Sequence, residues 1–124
     1  MGFERFTSSG KTFKPKVSIR RNGQIGFNNG ARKRFELDKY KYVILFYDKE
    51  NEKIGIKLTN ESSENGIMIL QKRPLNVAVS AKSFLEFYEL PYSKTLRYDP
   101  QWNENEKMII VDFKKSQNLS KLTE

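Results

Sequence analysis

Apolar and polar residues alternate along most of this chain, and the alternation has the period of two that strands require. Residues 16–20 set Val17 and Ile19 on one face, and residues 24–27 do the same with Ile25 and Phe27. Between them, Asn22-Gly23 predicts a two-residue hairpin turn, because a type I′ turn needs positive φ at both central positions. Asn28 or Asn29 then offers an N-cap to a helix of barely two turns ending at Leu37. Ala31 and Phe35 lie on its buried side, with Arg32, Lys33 and Arg34 outward. Residues 42–47, apolar on both faces, and residues 54–58 predict a central strand and its partner around the charged turn 48–53. Short strands follow at 67–70 and 77–79. From Ser80 onward, Ala81, Phe84, Leu85 and Tyr88 recur at helical spacing, and Pro91 stops the helix. Residues 95–98 and 108–111 are expected to close the domain as a hairpin around the loop 99–106, which carries the single Trp, Trp102.

The two halves share one grammar. Strand, turn, strand, small helix, strand, turn, strand describes residues 17–58 and 67–111 alike, and a slide of 52 sets Ile25-Gly26-Phe27-Asn28 on Val77-Ala78-Val79-Ser80. Self-similarity at a fixed offset is the signature of a duplicated unit. The expected fold class is α+β, mostly antiparallel β, with two pseudo-repeated ββαββ halves (about 16–59 and 66–112) packed as one domain over 16–113. A flexible basic arm (1–15), with Phe3, Phe6 and Phe13 in it, precedes that domain, and a polar tail (114–124) follows.

Composition narrows the chemistry. The 124 residues include no Cys and no His, so zinc fingers, iron–sulfur clusters, His-held haem and every Ser-His or Cys-His nucleophile lack their residues. The acidic groups of the turns 48–53 and 99–106 have neither the spacing of a calcium loop nor a marked acid–base pair. Gly10-Lys11-Thr12 imitates the end of a phosphate-binding loop, but Arg5 stands where its first glycine belongs. The chain is expected to be non-enzymatic, with no cofactor and no metal. Its longest apolar run, 42–47, is far below the ~20 residues a spanning helix needs. With no apolar secretory stretch at the start, a cytoplasmic protein without membrane contact is expected.

Charge gives the functional direction. Residues 1–41 hold eleven Lys and Arg against three acids, so the whole formal net charge of +8 sits in the first third. A one-sided positive field concentrates polyanions, and each phosphate neutralised releases counterions. Nucleic acid is the natural partner, through Lys14, Lys16, Arg20, Arg21, Arg32, Lys33 and Arg34 at phosphates. Gln24 is placed to read base edges, and Asn28 serves either as a cap or as a second reader. Tyr40, Tyr42, Tyr47 and Tyr98 are candidates for a stacking surface.

The run Gly23-Gln24-Ile25-Gly26-Phe27-Asn28, then Arg32, Phe35 and Leu37, then Val43, Leu45 and the Asp48 turn, resembles the AbrB-type swapped-hairpin domain of bacterial transition-state regulators and some antitoxins. The likeness covers about 40 residues and departs from the family at Gln24, where an Arg is usual, and at Asn28, where a Pro is usual. It implies duplex-DNA binding in transcription or another DNA transaction, with Arg20, Arg21, Arg32 and Arg34 facing DNA. Residues 42–90 are also similar to the PC4 and Whirly single-stranded-DNA-binding core, Asn76-Val77-Ala78-Val79-Ser80 standing for its strand before a capped helix. A third reading is a protein-interaction module, such as an antitoxin or a phage accessory factor. A homodimer is compatible with each.

Overall fold

The computed structural model describes residue 2 and residues 14–74 and 76–117. Eleven strands and two short helices follow in the order β1 (Val17–Ile19), β2 (Gln24–Phe27), α1 (Asn29–Arg34), β3 (Tyr42–Asp48), β4 (Lys53–Thr59), β5 (Ile67–Ile69), β6 (Gln71–Arg73), β7 (Asn76–Ser80), α2 (Lys82–Phe87), β8 (Leu96–Tyr98), β9 (Gln101–Asn103), β10 (Met108–Asp112) and β11 (Ser116–Gln117). They form two sheets with every pairing antiparallel. The first has the order β11-β8-β1-β2-β7-β6 and the second β5-β3-β4-β10-β9.

The period-two pattern explains which face of each sheet turns inward. Val17, Ile19, Ile25, Phe27, Val77 and Val79 of the first sheet meet Val43, Ile54, Ile56, Leu58, Ile109 and Val111 of the second in one core, each no more than 2% exposed. Phe84 and Leu85 of α2 and Ala31 of α1 join it. Each helix end reaches the second sheet through an aromatic side chain. Phe35, at the end of α1, stacks on Trp102 of β9 with ring centroids 5.4 Å apart, and Tyr88, at the end of α2, packs on Tyr47 of β3 at 5.0 Å.

Three expectations change on inspection. The β1–β2 connection is a three-residue loop in which Gly23 alone takes positive φ, at +88°. Asn22 keeps an ordinary φ and its carboxamide accepts the Gln24 N–H at 3.1 Å, an Asx turn in place of a type I′ pair. A Cβ on Gly23 would lie 2.6 Å from the Lys82 Cβ, so the glycine also admits α2 against the turn. Second, β8 and β10 are not a hairpin: β8 pairs with β1 and β11 in one sheet, whereas β10 pairs with β4 and β9 in the other. Third, helix α1 stops at Arg34, and Leu37–Lys39 is a separate 3-10 turn after Glu36 in the left-handed region. Ser116–Gln117 pairs with β8, so part of the expected tail belongs to the sheet, and residues 1 and 3–13 of the expected arm lie outside the described residues. Among the described residues no helix is long and apolar enough to cross a membrane.

Candidate nucleic-acid interface

Residues that alternate with the core positions of the six-stranded sheet make its outer face. The pairings set Gln71, Ala78, Gly26, Ser18 and Arg97 in one row across five strands. Gln24 and Ser80 stand in the row on one side, with Arg20 beyond the end of β1 beside Gln24, and Asn76 and Arg73 stand in the row on the other. The middle of the face is therefore built of small side chains, and the long polar ones ring it. Arg20, Gln24, Gln71, Arg73, Asn76 and Ala78 line a shallow, open basin.

The Arg20 guanidinium lies flat across Gly26. A Cβ at that glycine would come within 2.3 Å of Arg20 Nη2, so the missing side chain is what lets the guanidinium reach the middle of the sheet. Arg20 Nη1 donates to Gln24 Oε1 at 3.3 Å, and Asn22 Nδ2 donates to the same oxygen at 3.4 Å. That fixes the amide with its oxygen occupied and its NH2 edge available. Gln71 Nε2 donates to Ser80 Oγ at 3.5 Å. No carboxylate pairs with Arg20, Arg73 or Arg97 among the described residues. Cations left unneutralised beside amide donors, on a face with a small-residue floor, make a surface suited to phosphate oxygens and base edges.

The eight residues expected at an interface do not converge. Arg20 and Gln24 belong to the basin. Lys16 shares the outer face but is ion-paired with Asp99. Lys14 is exposed, and its carbonyl accepts from Asn28 Nδ2 at 2.9 Å. Arg21 is exposed at the β1–β2 turn, where its N–H donates to Thr95 Oγ1 at 3.3 Å. Arg32 was expected outward on α1, yet its side chain is 21% exposed and occupied. Nε and Nη2 fork onto Asp38 at 2.8–3.1 Å, and Nη1 donates to the Arg73 carbonyl at 2.6 Å. The Arg32 guanidinium holds the Asp38 carboxyl below its usual range. Lys33 and Arg34 remain exposed on the same helix.

Asn28 settles as a cap: its Oδ1 accepts from Ala31 N at 2.8 Å and Lys16 N at 2.9 Å, while Nδ2 donates to Lys14. Its oxygen and one N–H are thus committed to holding the backbone around the start of α1. The four tyrosines form no stacking surface, since Tyr98 is buried, Tyr47 packs on Tyr88, Tyr42 lies on the second sheet and Tyr40 packs against the core. Arg73, Gln71 and Asn76 were missed because they lie beyond the basic first third. Their signal was the polar triplet Gln71-Lys72-Arg73, which pairs as an edge strand. No group of three or more acidic side chains placed to hold a metal ion forms among the described residues.

No family model matches this chain, and neither the curated proteins nor the solved structures give a match.

Proposed function

We propose that this is a non-enzymatic DNA-binding protein acting in transcription or another DNA transaction, and that the outer face of the six-stranded sheet is its contact surface. The observation that carries the reading is the basin in which Arg20 with Gln24 and Arg73 with Asn76 flank the small residues Gly26 and Ala78 with no carboxylate opposing them. Phosphates are what such guanidinium groups attract, and amides add base-edge contacts. Duplex is favoured over single strands: the described side chains on this face include no aromatic ring on which an unpaired base would stack.

The same reading takes the two halves as pseudo-repeats about a local twofold axis between β2 and β7. Two features support it. Gly26 pairs with Ala78, the residue 52 positions on, at the middle of β1-β2-β7-β6, and β4 pairs with β10 at the middle of β3-β4-β10-β9. The aromatic bridges also exchange: Phe35 of the first half touches Trp102 of the second, while Tyr88 of the second touches Tyr47 of the first. Under that axis Arg20 beside Gln24 corresponds to Arg73 beside Asn76, so a duplex would meet matched groups from both halves.

A gel-shift series across salt concentrations tests this. Arg20→Ala and Arg73→Ala are each expected to lower the salt slope by about one unit, while Lys16→Ala changes it less, because Lys16 is already paired. Gly26→Ala should leave the fold intact yet weaken binding, since it displaces only the far end of Arg20. An unchanged slope in both arginine variants rejects the face. Tighter binding of single strands than duplex favours the PC4/Whirly-like alternative.

A further inference from the structure

The two arginines of the basin are held in different ways. Arg20 is fixed through its own guanidinium, which lies across Gly26 and donates to Gln24. Among the described residues the Arg73 guanidinium has no hydrogen bond or ion pair, so its place depends on its backbone. That backbone is weakly supported by the sheet itself. Strand β6 is three residues long, lies at the sheet edge with β7 as its one neighbour, and ends at Arg73, next to Pro74. A short edge of this kind frays unless something outside the sheet ties it down.

The tie comes from the other half of the chain. Arg32 Nη1 donates to the Arg73 carbonyl at 2.6 Å, while Nε and Nη2 fork onto the Asp38 carboxylate at 2.8–3.1 Å. The planar fork fixes the guanidinium, which leaves Nη1 aimed at β6. Asp38 can be reached because Glu36, with φ at +53°, turns the chain between α1 and Leu37–Lys39. A second bond crosses the same corner in the opposite sense, from Lys72 Nζ to the Asp38 carbonyl at 3.2 Å. We propose that Arg32 and Asp38 are positioning residues for DNA binding: neither touches nucleic acid, and together they hold β6 so that the Arg73 guanidinium stands in the basin. This role rests on the outer sheet face being the DNA contact surface. It carries an inverted sign, since an acidic side chain then strengthens the binding of a polyanion.

Asp38→Ala separates placement from charge. It raises the formal net charge from +8 to +9, which by field alone would tighten duplex binding. It also releases the Arg32 fork, so the expected result is weaker binding, by at least about threefold at about 50 mM salt, with the salt slope lowered by about one unit as in Arg73→Ala. Arg32→Lys, at unchanged net charge, should do the same, because one ammonium cannot both fork onto Asp38 and reach the Arg73 carbonyl. A double-mutant cycle distinguishes this from a general loss of fold. Added to Arg73→Ala, Asp38→Ala should weaken binding no further, whereas added to Arg20→Ala it should weaken binding as much as in the parent. Without DNA, amide hydrogen exchange at residues 71–73 should quicken in Asp38→Ala while that of β1 and β2 stays the same. The positioning role is overturned, and the sheet face left standing, if the parent binds duplex and Asp38→Ala binds it as tightly or more tightly. Equal weakening in the Arg73→Ala and Arg20→Ala backgrounds, or unchanged exchange at residues 71–73, overturns it too. A parent that binds no duplex rejects the sheet face itself and this role with it.

Discussion

Arg32 and Arg34 stand two residues apart on one short helix and meet opposite fates: the first is locked between Asp38 and the Arg73 carbonyl, the second is exposed. Tyr98 shows the same gap between residue type and role. It is 1% exposed, its hydroxyl has no hydrogen-bond partner among the described residues, and burial pushes the phenol up to about 12. Its ordinary value is 10.0, and a phenol whose folded pKa is raised contributes stability that is fully present below its unfolded pKa. That contribution is lost as pH rises through the folded value, at about 1.4 kcal/mol per pH unit. The alkaline limb of stability between pH 10 and 12 should therefore flatten in Tyr98→Phe. The same change removes an unsatisfied buried hydroxyl, so urea unfolding at neutral pH should show the variant equal to or more stable than the parent, by up to about 1 kcal/mol. Equal alkaline limbs in the two proteins would contradict this account. A lone sequence could name these side chains but not their partners, because Asp99 lies 83 positions from Lys16 and Arg73 lies 41 from Arg32.

Elements were more legible than contacts wherever a strand is buried on one side. The alternation at Val17 and Ile19, at Ile25 and Phe27, and at Val77 and Val79 located β1, β2 and β7 because their inward residues are all apolar. Strands β6 and β9 escaped because Gln71-Lys72-Arg73 and Gln101-Trp102-Asn103 lie at or beside sheet edges and owe their pairing to a neighbour, not to their own pattern. The wrong hairpin has a related cause: β8 and β10 are near in sequence, but β8 finds its apolar match on β1. Helix α1, only six residues, is not stable alone and depends on what it packs against. The Phe35–Trp102 stack is the contact that ties its end to the second sheet. Phe35→Ala should cost about 3–5 kcal/mol in urea unfolding and shift Trp102 emission to the red in the folded state. A native emission spectrum identical to the parent's would mean that the stack does not shelter the indole.

At the scale of the whole molecule, the chain crosses between its halves in both sheets. β2 of the first half pairs with β7 of the second, and β4 with β10, so neither half closes a core without the other. A protease cut within the exposed segment 61–66 should leave two pieces that elute together and melt in one transition, because those pairings do not depend on the connection. Separation of the pieces without denaturant would show the halves to be independent. The basic first third of the sequence is likewise not by itself the basic face of the fold. The first third supplies Arg20 and Gln24, the later segments supply Arg73, Asn76 and Arg97, and Lys16 is neutralised by Asp99. Deletion mapping would mislead as a result: a fragment keeping every surplus cation but ending before β6 would lack half the basin and the partner of its central strand. Loss of binding in such a truncation would measure unfolding, and only point changes in the intact chain can tell where the ligand sits.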